Sequence, residues 1–274
     1  MTIIESIIYG LISGLAEFLP ISLHGHQAIF MHLFGMDTRS PIQDLLIHIG
    51  ISLSVLISCK SILARIYTQQ RIYTRSRRRR TYDVRGIYDL RLIQSASIPM
   101  MAGLLLYFST SQYEKKPIYL ALFFLINGIF LIIPEYSKKG NKSAKSMSSF
   151  DGVAIGLISV LSIFPGISRI GSAMGFASLR GADKQHILNW AFLLSIPALV
   201  IYLIIDIVNI FIIGIGSFSF IHLISYLLGG GFAFCGGYMG IILMKFLTER
   251  TGYSWFAYYC WGVALFSFVL FLIA

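Results

Sequence analysis

Apolar residues in this chain fall into long runs that short polar segments separate. A helix that spans a bilayer needs about 17–25 residues, and six runs reach or approach that length. Together they predict about six transmembrane helices in an all-α, polytopic membrane protein. The six runs lie near residues 43–59, 92–113, 118–134, 187–213, 218–247 and 254–274.

The composition agrees with this pattern. Of the 274 residues, 56% are apolar and 12% are charged, and the mean hydropathy is +0.76. A soluble protein carries about 25% charged residues, so a soluble fold is excluded. The N-terminus lacks the basic segment and cleavage site of a signal peptide, so we expect the first apolar run to stay in the mature protein. The three cysteines have no metal-ligand spacing and are interpreted as packing residues.

The net charge of +10 is concentrated in two segments. Ten of the 22 basic residues lie within 60–91, and the run Arg77–Arg80 is among them. A second cluster consists of Lys138, Lys139, Lys142 and Lys145. Basic loops that flank apolar helices stay on the cytoplasmic side and can contact anionic lipid. We therefore interpret the charge as a topology signal and not as a nucleic-acid-binding surface.

One sixteen-residue segment occurs twice. Residues 10–25 read GLISGLAEFLPISLHG and residues 156–171 read GLISVLSIFPGISRIG, with 9 of the 16 positions identical. Each copy is interrupted in its middle, by Pro20 in the first and by Pro165-Gly166 in the second, which disrupts helical hydrogen bonding. We predict that residues 1–36 and 151–180 each form a re-entrant hairpin of two half-length helices. Such backbone is tolerated at membrane depth only inside protein or beside a polar cavity.

The relative orientation of the two copies follows from counting membrane crossings. With the basic loops inside, three crossings separate equivalent points of the two copies, so one copy is inverted relative to the other. An inverted repeat brings its two broken segments together near the bilayer midplane. We predict a single membrane domain over 1–274, with a first repeat over 1–134, a basic linker over 135–150 and a second repeat over 151–274.

Polar residues at the two breaks form the candidate site. A charge at membrane depth costs about 2.5–3.5 kcal/mol, so Glu17 and Arg169 either pair structurally or line a functional cavity. The N-termini of the new half-helices favour anions because their backbone N–H groups are unpaired. The planar guanidinium of Arg169 matches phosphate oxygens. The other break residues that we group with this pair are Ser22, His24, Gly25, His26, Gly166, Ser168, Gly171 and Ser172.

Two spacings at the first break point to acid–base chemistry. His26 follows Ser22 by four residues, so on a helix its imidazole could reach and activate the Ser22 hydroxyl. Glu17 lies one turn before the break and could act as a base or orient the histidine. Away from the breaks, we interpret His48 as a packing histidine and Asp206 as a paired or interfacial carboxylate.

The two breaks resemble the two signatures of the undecaprenyl-diphosphatase family, also called the bacitracin-resistance family. The resemblance is carried by Glu17-Phe18-Leu19-Pro20-Ile21-Ser22 with Gly25-His26, by Pro165-Gly166-Ile167-Ser168-Arg169 with Gly171, and by Phe192-Leu193-Leu194-Ser195-Ile196-Pro197-Ala198. It implies a phosphatase that dephosphorylates the C55 lipid diphosphate at the outer face of the bacterial inner membrane. That reaction regenerates the monophosphate carrier for peptidoglycan synthesis. The site roles that the resemblance implies fall on Glu17, Ser22, His26, Ser168 and Arg169.

The chain departs from the pattern of this family at four positions. Ser13 stands where the family usually has Glu or Gln, and Leu23 stands where it has a second serine, one proposed nucleophile. His24 replaces a threonine, and Ile170 replaces a serine. A leucine cannot attack phosphorus, so the attack must come from another group. His24 is a candidate acid or phosphate ligand.

We therefore predict a phosphatase acting on a polyprenyl diphosphate, with His26 as the first candidate nucleophile and Ser22 as the next. The predicted catalytic residues are Glu17, Ser22, His26 and Arg169. The predicted substrate-binding residues are Ser13, His24, Gly25, Gly166, Ser168, Gly171 and Ser172. The alternative is a polyprenyl-phosphate translocase or a catalytically inactive lipid-phosphate-binding relative, since inverted repeats with broken midplane helices are a transporter architecture.

The sequence shows no clear carboxylate cage for a metal. A divalent cation, Mg²⁺ or Ca²⁺, could still neutralise the diphosphate. The expected partners are the lipid substrate and the surrounding membrane lipids, with a homo-oligomer left open and no nucleic acid.

Overall fold

The computed structural model describes residues 1–36, 39–75, 85–106, 110–137, 140–214, 219–250 and 252–273. Within these ranges the chain is helical, without strands, apart from an isolated bridge between Lys142 and Ala182. The α-helices are α1 Ile3–Phe18, α2 Leu23–Leu33, α3 Pro41–Ser58, α4 Lys60–Arg75, α5 Arg85–Leu104, α6 Pro117–Tyr136, α7 Ser149–Ser159, α8 Arg169–Leu179, α9 Lys184–Ile213, α10 Phe220–Arg250 and α11 Ser254–Ile273. Two 3₁₀ helices, Ser111–Lys115 and Val160–Ile163, lie before α6 and after α7. The basic run Arg77–Arg80 and the lysines Lys138 and Lys139 lie outside the described residues.

Five of these helices, α3, α6, α9, α10 and α11, are long and apolar enough to cross a membrane. They coincide with five of the six predicted runs, and the prediction of an all-α polytopic membrane protein is confirmed. The remaining run, 92–113, falls on α5, which ends earlier, at Leu104. Helix α5 is less apolar than the other five because Arg85, Asp89 and Arg91 lie in its first two turns.

Each copy of the duplicated segment forms two half-length helices with a break between them. Helix α1 ends at Phe18, where Leu19 turns extended and Pro20 follows, and α2 begins after Ser22. Helix α7 ends at Ser159, and α8 begins after Ser168. In both copies the serine before the second half-helix is its N-cap, since its hydroxyl accepts the backbone N–H three residues later. The two half-helices of each copy pack against each other.

Equivalent elements of the two copies make equivalent contacts. Helix α1 packs on α10, and its counterpart α7 packs on α5. Helix α3 packs on α10, its counterpart α9 packs on α5, and the two central pairs are α3 with α9 and α6 with α11. The boundaries of the two repeats and of the basic linker remain predictions.

The first glycine of the duplicated segment explains how closely these helices approach. A Cβ on Gly10 would lie 2.0 Å from the carbonyl oxygen of Gly229 on α10, and a Cβ on Gly156 would lie 2.2 Å from that of Ala96 on α5. Small residues at such contacts let helix backbones approach in a membrane. The duplication therefore preserves a packing position as well as a break.

Each end of the bundle has its own ion pairs. We call the end at which α4, α5 and α7 carry Arg65, Asp89 and Asp151 the basic end, because the basic loops predicted from the sequence adjoin it. At the basic end, Asp151 pairs with Arg180 at 2.6 Å, and Asp89 lies 3.2 Å from Arg65. At the opposite end, Arg39 lies 2.6 Å from Glu114. Helices α4, α5, α7 and α8 therefore contribute to the basic end, whereas α2 and the segment before α3 meet the first 3₁₀ helix at the opposite end.

Candidate active site

The two helix breaks are in direct contact. The hydroxyl Oγ of Ser22 accepts a hydrogen bond from the backbone N–H of Gly166 at 3.0 Å. Asn127, fully buried on α6, joins both breaks, because its Nδ2 donates to the Pro20 carbonyl at 2.9 Å and its Oδ1 accepts from the Ser168 N–H at 2.8 Å. Asn127 is not among the predicted site residues, although a lone asparagine inside an apolar run was a usable signal.

Glu17 and Arg169 form a buried ion pair across the breaks, from α1 to the first residue of α8. The same guanidinium donates to the Ser195 hydroxyl at 2.7 Å and, at 3.4 Å, to the Ala191 carbonyl. Its Nε has no partner among the described residues. The structure therefore brings together the two charges that the sequence placed at the breaks, and it adds Ser195 on α9 as a partner.

Ser22 has an unusual backbone conformation and an unusual set of donors. It is the only non-glycine residue with positive φ (76°) in the described part of the chain, which is a strained conformation. Its Oγ accepts two backbone N–H groups, from Gly25 at 3.3 Å and from Gly166. Strain of this kind persists where the surrounding structure holds it, which is common at functional sites.

The four-residue spacing suggested that His26 contacts the Ser22 hydroxyl, but the ring nitrogens of His26 bond to two other groups. Its Nδ1 lies 2.8 Å from the Ser22 carbonyl oxygen, and its Nε2 lies 2.7 Å from the Tyr259 hydroxyl. A carbonyl only accepts, so Nδ1 carries the proton and Nε2 accepts the Tyr259 O–H. The ring lies at an apolar groove of about 670 Å³ between α1, α10 and α11, whose lining includes Leu15 and Trp255.

His24 lies at a second and polar cavity of about 890 Å³, which opens at the end of the bundle opposite the basic end. Its ring packs edge-on against Tyr202 of α9 at 5.1 Å, and Tyr202 stacks on His48 of α3 at 5.3 Å. The titratable residues lining the cavity are His24, His32, Arg39, Asp44, His48, Glu114, Lys115, Tyr202 and Asp206.

His48 and Asp206 are bonded to each other at the wall of this cavity. Nδ1 of His48 lies 2.6 Å from Oδ2 of Asp206, and both side chains are buried. The interpretation of Asp206 as a paired carboxylate agrees with this contact. His48 is more than a packing residue, because its ring lines the cavity and makes a charge-assisted hydrogen bond.

The other predicted binding residues use their polar groups inside the protein. Ser13 is buried and accepts the Gln27 side-chain amide at 3.1 Å. The Ser168 hydroxyl caps α8 by accepting the Gly171 N–H at 3.1 Å, and the Ser172 hydroxyl donates back to the Arg169 carbonyl. These serines hold the helices at the break rather than presenting free hydroxyls.

A family model described as Bacitracin resistance protein BacA matches residues 6–266 of the chain. The chain belongs to this family. Undecaprenyl-diphosphatase 3 of Bacillus cereus is 32% identical over 270 residues, which cover 98% of each chain. Undecaprenyl-diphosphatase 1 of Shouchella clausii is 29% identical over 278 residues, covering 98% of this chain and 96% of that protein. The resemblance seen in the two break motifs is therefore confirmed over the whole chain.

Two of the four positions at which this bacitracin-resistance family member departs from the family pattern lie in the first turns of α2 and α8, where they are buried. Leu23 begins α2 and Ile170 is the second residue of α8, and both side chains are buried. His24, the third departure, lines the polar cavity instead. Of the four departures, His24 is therefore the one that adds a chemically active group to the cavity. Across the described ranges, no three His, Cys, Asp or Glu side chains are grouped as metal ligands.

Proposed function

We propose that this protein hydrolyses a polyprenyl diphosphate, undecaprenyl diphosphate, to the monophosphate and inorganic phosphate. The reaction would recycle the lipid carrier of cell-wall synthesis at the outer face of the bacterial inner membrane. Membership of the family and the activity named for its relatives support this proposal. The observation that carries it is the Arg169 guanidinium, buried beside Glu17 where the two breaks meet.

The junction of the breaks suits a phosphoryl group. Arg169 has a buried Nε without a partner among the described residues, so one donor is available to an oxyanion. Helices α2 and α8 both begin at the junction, and their N-terminal dipoles and N–H groups favour negative charge. Preorganised donors of this kind supply most of the stabilisation in phosphoryl transfer.

Ser22 is the nucleophile that the geometry favours. Two backbone N–H groups converge on its Oγ, which would stabilise the negative charge on that oxygen when its proton leaves. His26 donates to the Ser22 carbonyl and so holds the strained backbone that presents this hydroxyl. We assign His26 a positioning role and Ser22 the attack on the terminal phosphorus.

The two cavities give the substrate a lipid side and a water side. The apolar groove beside His26 suits a polyprenyl chain, since Leu15, Trp255 and similar side chains line it. The polar cavity beside His24 would give water and phosphate a route to the end of the bundle opposite the basic end. Hydrolysis of a lipid diphosphate needs both environments at one junction.

The test is phosphate release from undecaprenyl diphosphate by the purified protein in detergent, with and without a metal chelator. Ser22→Ala and Arg169→Ala should each lower the rate by about 10²-fold or more, because they remove the attacking group and the charge that binds the phosphoryl group. Arg180→Ala is the matched control, since it removes an arginine from an ion pair at the basic end. Equal background release from the wild type and both site variants would overturn the proposal. Flipping of a labelled polyprenyl phosphate in liposomes that survives Ser22→Ala would then favour the translocase.

A further inference from the structure

We propose that His48, held by Asp206, is the general base that takes a proton from the hydrolytic water. This inference rests on the proposed phosphatase function and adds a catalytic residue to it. In this proposal the polar cavity admits water and also holds the residue that activates it. Neither residue lies in the two break motifs through which the chain resembles its family.

The carboxylate of Asp206 holds the imidazole of His48 in one orientation. Asp206 accepts the Nδ1 proton of His48 at 2.6 Å, which fixes the ring and leaves the lone pair on Nε2. Nε2 is buried and has no hydrogen-bond partner among the residues that the structure describes. A carboxylate behind one ring nitrogen and an open second nitrogen is the arrangement by which histidine serves as a base in hydrolases.

The position of the ring connects it to both water and the break. His48 lines the polar cavity, so a water molecule that enters the cavity lies beside this residue. Tyr202 stacks on His48 and packs against His24, which lies two residues after Ser22. Through Tyr202 and His24, the pair is therefore connected to the junction that we propose for the phosphoryl group.

The proposed hydrolysis needs no reactant other than the lipid diphosphate and water. In the proposed first step the Ser22 Oγ forms a bond to the terminal phosphorus, the bond between that phosphorus and the bridging oxygen breaks, and the Ser22 proton passes to the departing polyprenyl monophosphate. Water then attacks: its oxygen forms a bond to phosphorus, and one of its protons passes to Nε2 of His48. The bond between phosphorus and the Ser22 Oγ breaks, and its electron pair stays on Oγ, which takes up a proton. Inorganic phosphate departs through the cavity, and His48 returns its proton to the solvent.

A purely structural role would make different predictions. A pair that only joins α3 to α9 would affect stability, and its loss would slow both chemical steps together. A base for water acts in the second step alone, so its loss should leave the first step in place. The titratable and charged groups around His48 that shape its pH response are Glu17 on α1, His24 on α2, Asp44 on α3, and Tyr202 and Asp206 on α9.

The experiment uses the purified full-length protein and undecaprenyl diphosphate labelled with ³²P at the terminal phosphate. His48→Gln should lower phosphate release by about 10²–10⁴-fold, the range for loss of a general base. The first turnover should still release monophosphate, and labelled phosphoserine should accumulate on Ser22. The acidic limb of the pH–rate profile should disappear in His48→Gln. In Asp206→Asn it should move to lower pH, because the imidazolium loses a neighbouring negative charge.

His222→Gln is the matched control, since this histidine of α10 stacks on Tyr226 away from the cavity. It should keep the wild-type rate and profile. The inference is overturned if His48→Gln keeps the wild-type rate and pH profile, or if it loses both steps together without labelled phosphoserine. If His48→Gln unfolds in detergent, the acidic limb of Asp206→Asn decides: a shift to lower pH supports the inference, and an unchanged profile overturns it. A wild type that releases no phosphate refutes the proposed function itself, a pattern distinct from failure of His48 alone.

Discussion

The contact between the two breaks can be tested at Gly25, in the first turn of α2. A Cβ built on Gly25 would lie 2.8 Å from the Gly166 nitrogen and 2.9 Å from its Cα. It would also lie 2.6 Å from the Phe124 ring, which can turn aside. The backbone of Gly166 cannot yield as easily, because its N–H is bonded to Ser22. Gly25→Ala should therefore push the two breaks apart.

The magnitude follows from the size of the overlap. Ordinary contact begins at 3.4 Å, so the breaks must separate by about 0.6 Å. Overpacking of this kind costs about 1–3 kcal/mol, and the higher helix propensity of alanine returns about 1 kcal/mol. Gly262→Ala on α11 is the matched control, since a Cβ there meets no atom within 4 Å. The difference in unfolding free energy between the two variants isolates the overpacking cost.

Activity should fall with the separation of the breaks. A misplacement of about 1 Å can cost about 10²-fold in rate, so a shift of about half that size should cost about tenfold. Thermal unfolding in detergent and phosphate release, measured on both variants, check the two effects. If Gly25→Ala is as stable and as active as Gly262→Ala, the two breaks do not touch in the working protein, and the site that we built on their contact is wrong.

Three further predictions concern other parts of the same framework. Asn127→Leu leaves the Pro20 carbonyl and the Ser168 N–H without their hydrogen-bond partner. It should lower the free energy of unfolding, measured by chemical unfolding in detergent, by about 1–3 kcal/mol for each group. His26→Asn keeps a donor near the Ser22 carbonyl and should retain more phosphate release than His26→Gln, whereas equal loss in both would indicate attack by His26 itself. Burial opposes ionisation of Asp151, but hydrogen bonds from Ser148 and Arg180 hold its pKa below the usual value. The ionised Asp151 carboxylate therefore stabilises the folded protein fully above the unfolded-state pKa of about 3.9, and this stabilisation is lost as the pH falls through the folded-state pKa. Asp151→Asn should therefore lower the melting temperature at pH 7, and the difference from the wild type should shrink in acid.

Most of the helical framework was predictable because the bilayer imposes it. Apolar runs of spanning length have few alternatives to a helix, and the duplicated segment marked both breaks. The end of α5 was not predictable, because the apolar character of the chain continues past Leu104 to Phe108 while the helix stops. Hydropathy measures the preference of a segment for lipid and contains no signal for where tertiary packing ends a helix.

The site was predictable where its residues are close in sequence and hidden where they are not. Glu17 and Arg169 stood out as charges inside apolar segments, and the predicted inverted repeat brought the segments that carry them together. The bond between His48 and Asp206 joins residues 158 positions apart, and no spacing rule connects α3 to α9. The orientation of His26 was misjudged for a local reason: four residues along a helix, the backbone carbonyl of Ser22 is nearer to the ring than its hydroxyl.

The departure at Ser13 follows from the polar network around it. Ser13 accepts from Gln27, and the other amide atom of Gln27 accepts from Arg39 at 2.9 Å. Arg39 also lies 2.6 Å from Glu114 and 3.6 Å from Asp44. A carboxylate at position 13 would be a third negative charge dependent on one arginine, and a buried charge without its own partner is strongly destabilising. A neutral serine at position 13 is therefore compatible with a network in which Arg39 already pairs with Glu114 and Asp44.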